Sequence, residues 1–176
     1  MRFAGCRLDG LSGHEAGRQL LQRLYFEETG KSLPGISISE WGNPHFADNH
    51  LFFSITHTKY HAFCALSQEA IGIDAEELTR PVHLRLAKRI LSQDEFLQFQ
   101  QAENQQKALL TFWVLKEAAA KLSGLGLRGF PNHTHFSLDD PRVQELDGCL
   151  VAILTASDGK DIPINKGCLK MQIARK

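Results

Sequence analysis

Residues 69–78 read Glu69-Ala70-Ile71-Gly72-Ile73-Asp74-Ala75-Glu76-Glu77-Leu78, and residues 113–121 read Trp113-Val114-Leu115-Lys116-Glu117-Ala118-Ala119-Ala120-Lys121. In the first stretch Ile71 and Ile73 alternate with Gly72 and Asp74 before acidic residues end the apolar pattern, which is the period of a strand. The second lies within 105–122, a run rich in Ala, Leu, Lys and Glu and free of Gly and Pro. That composition predicts a long helix, and Gly124 stops it. Strand and helix together indicate a mixed α+β class. On the strand Asp74 and Glu76, two apart, project from one face. On the helix Trp113, Glu117 and Lys121, four apart, form one stripe. Chemistry can be assembled where the strand end meets the stripe, with the carboxylates of Asp74, Glu76 and Glu117 converging.

Three carboxylates without Cys or a neighbouring His form a hard oxygen donor set. It suits Mg²⁺, which takes few protein ligands and completes its octahedron with water and substrate phosphate. Lys121, one turn beyond Glu117, is placed to meet a phosphate. The same spacing also describes an ordinary surface ion pair between Glu117 and Lys121, with Asp74 and Glu76 in a solvated loop. Spacing alone leaves both readings open.

Upstream, 15–28 places Leu20, Leu21, Leu24 and Tyr25 three and four apart, an amphipathic helix that Gly30 ends. The turn-rich SEWGNPHFADNH follows, and then LFFSITHTKYHAFCALS, two short strands around a connection at His57 to Tyr60. This is the pattern of a hairpin. Downstream, Pro81 opens a helical stretch over 82–99, and the capping-box pair Ser92 and Glu95 predicts a break near Leu91. The remainder, with HFSLDD, GCLVAILTAS and CLKMQIA between turn-rich segments, reads as further strands. FFSI followed by HAFCAL faintly matches HFSL followed by GCLVAIL, which raises the question of an internal duplication.

The chain has 176 residues, 43% hydrophobic and 23% charged, enough for one compact domain or two small lobes sharing a core. Lys plus Arg balance Asp plus Glu, so no general affinity for nucleic acid or an anionic membrane is expected. No stretch has the apolar core of a signal peptide or the length of a membrane span, which makes a cytoplasmic location the expectation. Cys6, Cys64, Cys149 and Cys168 are scattered without a C-x-x-C pair and read as reduced thiols. His57 with His61, and His133 with His135, lack the further ligands a zinc site needs.

The two central motifs resemble the signatures of the 4'-phosphopantetheinyl transferase superfamily, a G-I/V-D-x-E strand and a W-x-x-K-E-x-x-x-K helix. Phe53-Ser54-Ile55-Thr56-His57 resembles that family's F-N-x-S-H segment, and Leu91-Ser92-Gln93-Asp94-Glu95 its F-S-x-x-E helix start. Gly124-Leu125-Gly126-Leu127 resembles the G-x-G-L after the lysine. The likeness runs from about Arg18 to Phe130.

The resemblance implies transfer of the phosphopantetheine arm of coenzyme A to a serine of an apo acyl, peptidyl or aryl carrier protein, with release of adenosine 3',5'-bisphosphate. It implies Mg²⁺ held by Asp74, Glu76 and Glu117, and catalysis by Glu117, Lys121 and His57. Glu117 would help remove the serine proton, and Lys121 would meet a phosphate. Arg18, Thr56, His57, Asp74 and Lys121 would contact coenzyme A, Arg18 at its 3'-phosphate. The architecture implied is two similar α/β lobes in an intramolecular pseudo-dimer, about 1–69 and about 70–176, acting as a monomer.

Two departures matter. Asn43, in Gly42-Asn43-Pro44, stands where the family often has a lysine on phosphate, and Lys59 is a candidate substitute. Thr56 replaces the usual serine but keeps a hydroxyl. The missing lysine leaves a rival reading, a coenzyme A or carrier-binding module that has lost transfer. A metal-dependent phosphohydrolase would use the same carboxylates with water as acceptor. Fatty-acid, polyketide and peptide carriers are all compatible with the motifs.

Overall fold

The computed structural model describes residues 1–40, 42, 44–47, 50–124 and 135–157. Strand β1 (Arg2–Arg7) leads into helix α1 (Gly13–Thr29), followed by the short strands β2 (Ile36–Ile38) and β3 (Pro44–Phe46). Strands β4 (Phe52–His57) and β5 (His61–Ser67) form the expected hairpin, and β6 (Ile71–Glu77) carries the acidic motif. A 3₁₀ turn at Leu84–Leu86 precedes α2 (Ala87–Ile90), α3 (Gln93–Gln101) and α4 (Gln105–Ser123). Strands β7 (Val143–Leu146) and β8 (Cys149–Thr155) complete the described elements.

Two three-stranded antiparallel sheets are built in the same order. One runs β1-β5-β4 and the other β6-β8-β7, so each puts its last strand in the middle. The faces of these strands explain the layering, because alternate side chains leave opposite sides. Ala62, Cys64 and Leu66 of β5 turn outward to Leu20, Leu21 and Leu24 of α1. Phe63 and Ala65 turn inward and meet Ile71, Ile73 and Ala75 of β6 and Val151 and Ile153 of β8. Leu150, Ala152 and Leu154 of β8 face away from that interior, into a cluster with Leu109, Phe112, Leu115 and Ala118 of α4. The layers are helix, sheet, sheet, helix. Central strands covered on both faces need unbroken apolar runs, which is why all seven residues of HAFCALS and of CLVAILT are buried.

Helix starts follow local chemistry. The Ser92 N–H donates to Glu95 Oε2 at 2.8 Å and the Glu95 N–H to Ser92 Oγ at 3.3 Å, a capping box that opens α3 where the sequence predicts a break. Ser12 and Glu15 form the same motif at α1, a start the periodicity alone does not single out.

One expected strand is absent. HFSLDD, residues 135–140, forms irregular and turn structure, and the strand that precedes β8 is VQEL instead. Side chains satisfy the backbone here: the Phe136 N–H donates to Glu95 Oε1 at 3.2 Å and the Leu138 N–H to Gln98 Oε1 at 3.1 Å, while Asp140 Oδ1 accepts from the Arg142 N–H at 3.0 Å. With such partners a sheet ladder is not required. The FFSI and HFSL likeness therefore does not align equivalent strands. CLKMQIA, Cys168, His133, Asn43 and the G-x-G-L positions 125–127 lie outside the described residues.

Candidate functional site

The site is set by how closely β6 approaches α4. A Cβ at Gly72 would lie 2.0 Å from the Ala118 carbonyl oxygen and 2.6 Å from the Leu122 nitrogen, so the contact requires glycine. Asp74 and Glu76 follow on the same face of β6. Lys121 approaches them from the last turn of α4.

Asp74 is buried, and its Oδ1 accepts from Lys121 Nζ at 2.7 Å and from Thr56 Oγ1 at 3.0 Å. Lys121 Nζ also donates to the Ile73 carbonyl at 3.0 Å. The ion pair of Lys121 is thus with the strand and not the i,i+4 pair with Glu117 that helical spacing alone describes. A buried carboxylate needs such partners. Thr56, on β4, links the first sheet to the site, as does Ser54, whose Oγ accepts from the Ile73 N–H at 3.1 Å.

Glu76 pairs with the guanidinium of Arg80, four residues on. That guanidinium sits 5.8 Å from the centre of the Trp113 ring, so the helix stripe acts as a platform for it. Glu117 is half-buried and its carboxyl is pushed above the usual range, by burial first and then by the charge of Asp74, while Lys121 and Arg80 pull it down. Asp74, Glu117, Lys121 and Arg80 therefore act on one another electrostatically.

Among the described residues no three His, Cys, Asp or Glu side chains are grouped closely enough to hold a metal ion. The expected convergence of Asp74, Glu76 and Glu117 is not reached, because Asp74 is turned to Lys121 and Glu76 to Arg80. The donor set nevertheless suits a hard divalent cation: all its groups are carboxylates, and the repulsion of Asp74 on Glu117, only partly offset by Lys121 and Arg80, is one that such an ion would relieve.

His57 ends β4 and is exposed. Its ring meets that of His14 edge-on with centroids 5.6 Å apart and lies over Gly13, where a Cβ would fall 2.3 Å from His57 Cγ. Arg18 is exposed on α1 four residues after His14, hence on the same helix face. His57 also lines a cleft of about 680 Å³ with Lys59, Tyr60, Glu76, Glu77 and Arg80. His14 and Arg80 were not singled out by sequence motifs, though Arg80 directly precedes Pro81, four residues after Glu76.

A second charged pair lies nearby but is sealed. Lys116 Nζ is 2.9 Å from Glu95 Oε2 and both side chains are 0% exposed. Lys116 also faces the Phe136 ring at 5.8 Å. The signal was present: Lys116 follows Leu109 and Phe112 by seven and four residues, on the apolar side of the helix. Beneath the cleft, His61 Nδ1 lies 3.5 Å from Cys149 Sγ. Burial pushes the Cys149 thiol up to about 11, and Cys6, Cys64 and Cys149 are all free and buried, as expected of structural thiols.

The model of the 4'-phosphopantetheinyl transferase superfamily matches residues 70–157, half of the chain, from the start of β6 to the end of β8. Sequence relatives agree. The chain is 32% identical over 120 residues to 4'-phosphopantetheinyl transferase Sfp of Bacillus subtilis (strain 168), covering 66% of this chain and 52% of that protein. It is 30% identical over 115 residues to 4'-phosphopantetheinyl transferase gsp of Aneurinibacillus migulanus, covering 62% and 47%. Over 124 residues it is 32% identical to 4'-phosphopantetheinyl transferase HetI of Nostoc sp. (strain PCC 7120 / SAG 25.82 / UTEX 2576), covering 68% and 48%. This chain belongs to the 4'-phosphopantetheinyl transferase superfamily. It spans about half the length of the curated relatives it matches.

Proposed function

We propose that this chain transfers the 4'-phosphopantetheine arm of coenzyme A to a serine hydroxyl of an apo acyl, peptidyl or aryl carrier protein. The observation that carries the proposal is the junction of the two family motifs, where Lys121 of the helix is bonded to Asp74 of the strand beside a Glu117 of raised proton affinity. In the reaction the serine oxygen bonds to the phosphorus attached to pantetheine. The bond from that phosphorus to the bridging oxygen breaks, and adenosine 3',5'-bisphosphate leaves.

Each residue has a part in that step. Glu117 takes the serine proton, directly or through water, a role its raised proton affinity suits. Lys121 supplies a point charge to a phosphate, while Asp74 and Thr56 aim it. His57, with Arg18 on the neighbouring helix face, meets the remaining phosphates of coenzyme A. Asp74, Glu76 and Glu117 would hold Mg²⁺, which when bound screens negative charge on the pyrophosphate oxygens.

The shared strand order of the two sheets supports reading the chain as two similar α/β lobes, about 1–69 and about 70–176, within one monomer. The bonds of Thr56 and Ser54 to β6 support a site where these lobes meet. Among the described residues no helix is long and apolar enough to cross a membrane, which suits a cytoplasmic enzyme meeting carrier proteins.

The test is intact-mass measurement of a panel of apo carrier proteins after incubation with this protein, coenzyme A and Mg²⁺. A mass increase on at least one carrier that needs all three components is expected. Coenzyme A binding without transfer to any carrier would favour a module that has lost catalysis, and steady coenzyme A breakdown without a carrier would favour a phosphohydrolase.

A further inference from the structure

Arg80 occupies an unusual place in the charge pattern of this site. Asp74, Glu76 and Glu117 bring three negative charges, and among the described residues the side-chain cations paired with them are Lys121 on Asp74 and Arg80 on Glu76. The two cations are held differently. Lys121 has a second bond, to the Ile73 carbonyl, and its partner Asp74 has a side chain only 10% exposed. The Arg80 side chain is 44% exposed and that of Glu76 17%, and Arg80 reaches Glu76 across a single chain reversal with no second side-chain hydrogen bond among the described residues to hold it. A pair with a half-exposed cation is easier to open than a sealed one. Opening the pair does not strand Arg80, because the Trp113 ring lies under the guanidinium at 5.8 Å and the cleft it lines also contains His57 and Lys59.

We infer that Arg80 is an exchangeable cation of this site: it covers Glu76 while the carboxylates lack a divalent ion, and once released it binds an anionic phosphate of the substrate in the cleft. The inference rests on reading the three carboxylates as metal ligands. It accounts for their arrangement, since Glu76 turned to Arg80 is a ligand held out of the group by a competing cation. It also gives Arg80 a use in the loaded state, because a planar guanidinium with paired donors matches phosphate geometry better than an ammonium does. Charge around Glu117 agrees with the placement, since Arg80 and Lys121 both lower the proton affinity that burial and Asp74 raise.

The experiment is Mn²⁺ binding, read by the loss of free-ion electron paramagnetic resonance signal, to the wild type, Arg80→Ala and Arg80→Gln. Binding of coenzyme A to each Mn²⁺-loaded protein is then measured by calorimetry. Both variants should bind Mn²⁺ about two- to fivefold more tightly, the range that removal of one exposed competing pair allows. Both should bind coenzyme A more weakly by about fivefold. Arg80→Gln keeps two of the three methylenes and a planar polar end without the charge, so agreement between the variants separates the charge from packing. Equal Mn²⁺ affinity in all three proteins, or weaker binding in the variants, would overturn the role of Arg80 while leaving the carboxylates as metal ligands. Absence of Mn²⁺ binding in all three would overturn both.

Discussion

Two lysines five residues apart on α4 each reach an acid on another element, and the difference between them separates what holds this molecule together from what it presents to a substrate. Lys116 meets Glu95 with both side chains 0% exposed, among Phe136, the N-terminus of α3 and the apolar side of α4. Lys121 meets Asp74 with its side chain 32% exposed, at the edge of β6. Two desolvated charges in a sealed place stabilise little against an apolar pair, yet losing one strands the other. At the open edge the ammonium stays bonded to Asp74 and the Ile73 carbonyl while a phosphate can approach it. The motif W-x-x-K-E-x-x-x-K thus contains one lysine for the fold and one for the proposed chemistry.

The largest effect should come from breaking the sealed pair. Lys116→Ala or Glu95→Ala leaves an uncompensated buried charge and should cost about 3–5 kcal/mol in urea unfolding. A loss below about 1 kcal/mol would mean that the surviving charge finds water and that the pair is not sealed. Glu95→Ala should be the worse of the two, because Glu95 also accepts from the Ser92 and Phe136 backbone N–H groups.

Next is the open pair. Lys121→Ala should lower transfer about 100-fold or more, by analogy with removal of a single donor from a charged transition state. Its stability should change by about 1 kcal/mol or less, as for a partly exposed pair. If unfolding shifts strongly while turnover holds, the two lysines have been assigned the wrong way round.

Smaller still is the outcome of neutralising the sealed pair together. Lys116→Met with Glu95→Gln keeps an acceptor for both backbone N–H groups and removes both charges, so stability should return to within about 2 kcal/mol of wild type. Transfer should survive in this double variant, measured on whichever carrier the wild type modifies. Loss of transfer with stability restored would give the sealed pair a part in catalysis.

The smallest effect on stability concerns Glu117. Its carboxyl has a raised proton affinity in the folded protein, so its stabilising contribution is present in full below the ordinary 4.5 and is lost as pH rises through the raised value. Glu117→Gln does not ionise there, and in metal-free protein its stability relative to wild type should grow as pH rises across that window. Thermal unfolding from pH 4 to pH 8 checks this, and a flat difference would show that Asp74 and burial exert no net force on the group. The same variant should lose transfer by roughly 10²- to 10⁴-fold if Glu117 is the base.

Much of this division was legible in residue order. Alternation of Ile71 and Ile73 identified β6, the Gly- and Pro-free run identified α4, and Ser92 with Glu95 located the start of α3, because each signal is local. The bond of Asp74 to Lys121 required two elements to meet: the resemblance gave Asp74 to a metal and Lys121 to a phosphate, and helical spacing paired Lys121 with Glu117, so neither indicated it. HFSLDD misled because its apolar and polar residues alternate like a strand while Glu95 and Gln98 satisfy its backbone from elsewhere and the Asp140 side chain turns to accept from the Arg142 N–H. The sealed partner of Lys116 was hidden because charge on a helix usually means solvent, and only its phase with Leu109 and Phe112 says otherwise. Arg80 was missed because its partners, Glu76 and the Trp113 ring, are brought to it by the return of the chain after β6.

The most direct measurement is intact-mass analysis of apo carrier proteins incubated with coenzyme A and Mg²⁺ and either the wild type or Lys121→Ala. The wild type should add the phosphopantetheine mass to at least one carrier, and Lys121→Ala, folded and at equal concentration, should add it at about one hundredth of the rate or less. No mass increase with the wild type on any carrier, or an undiminished rate with Lys121→Ala, would contradict the assignment of this site.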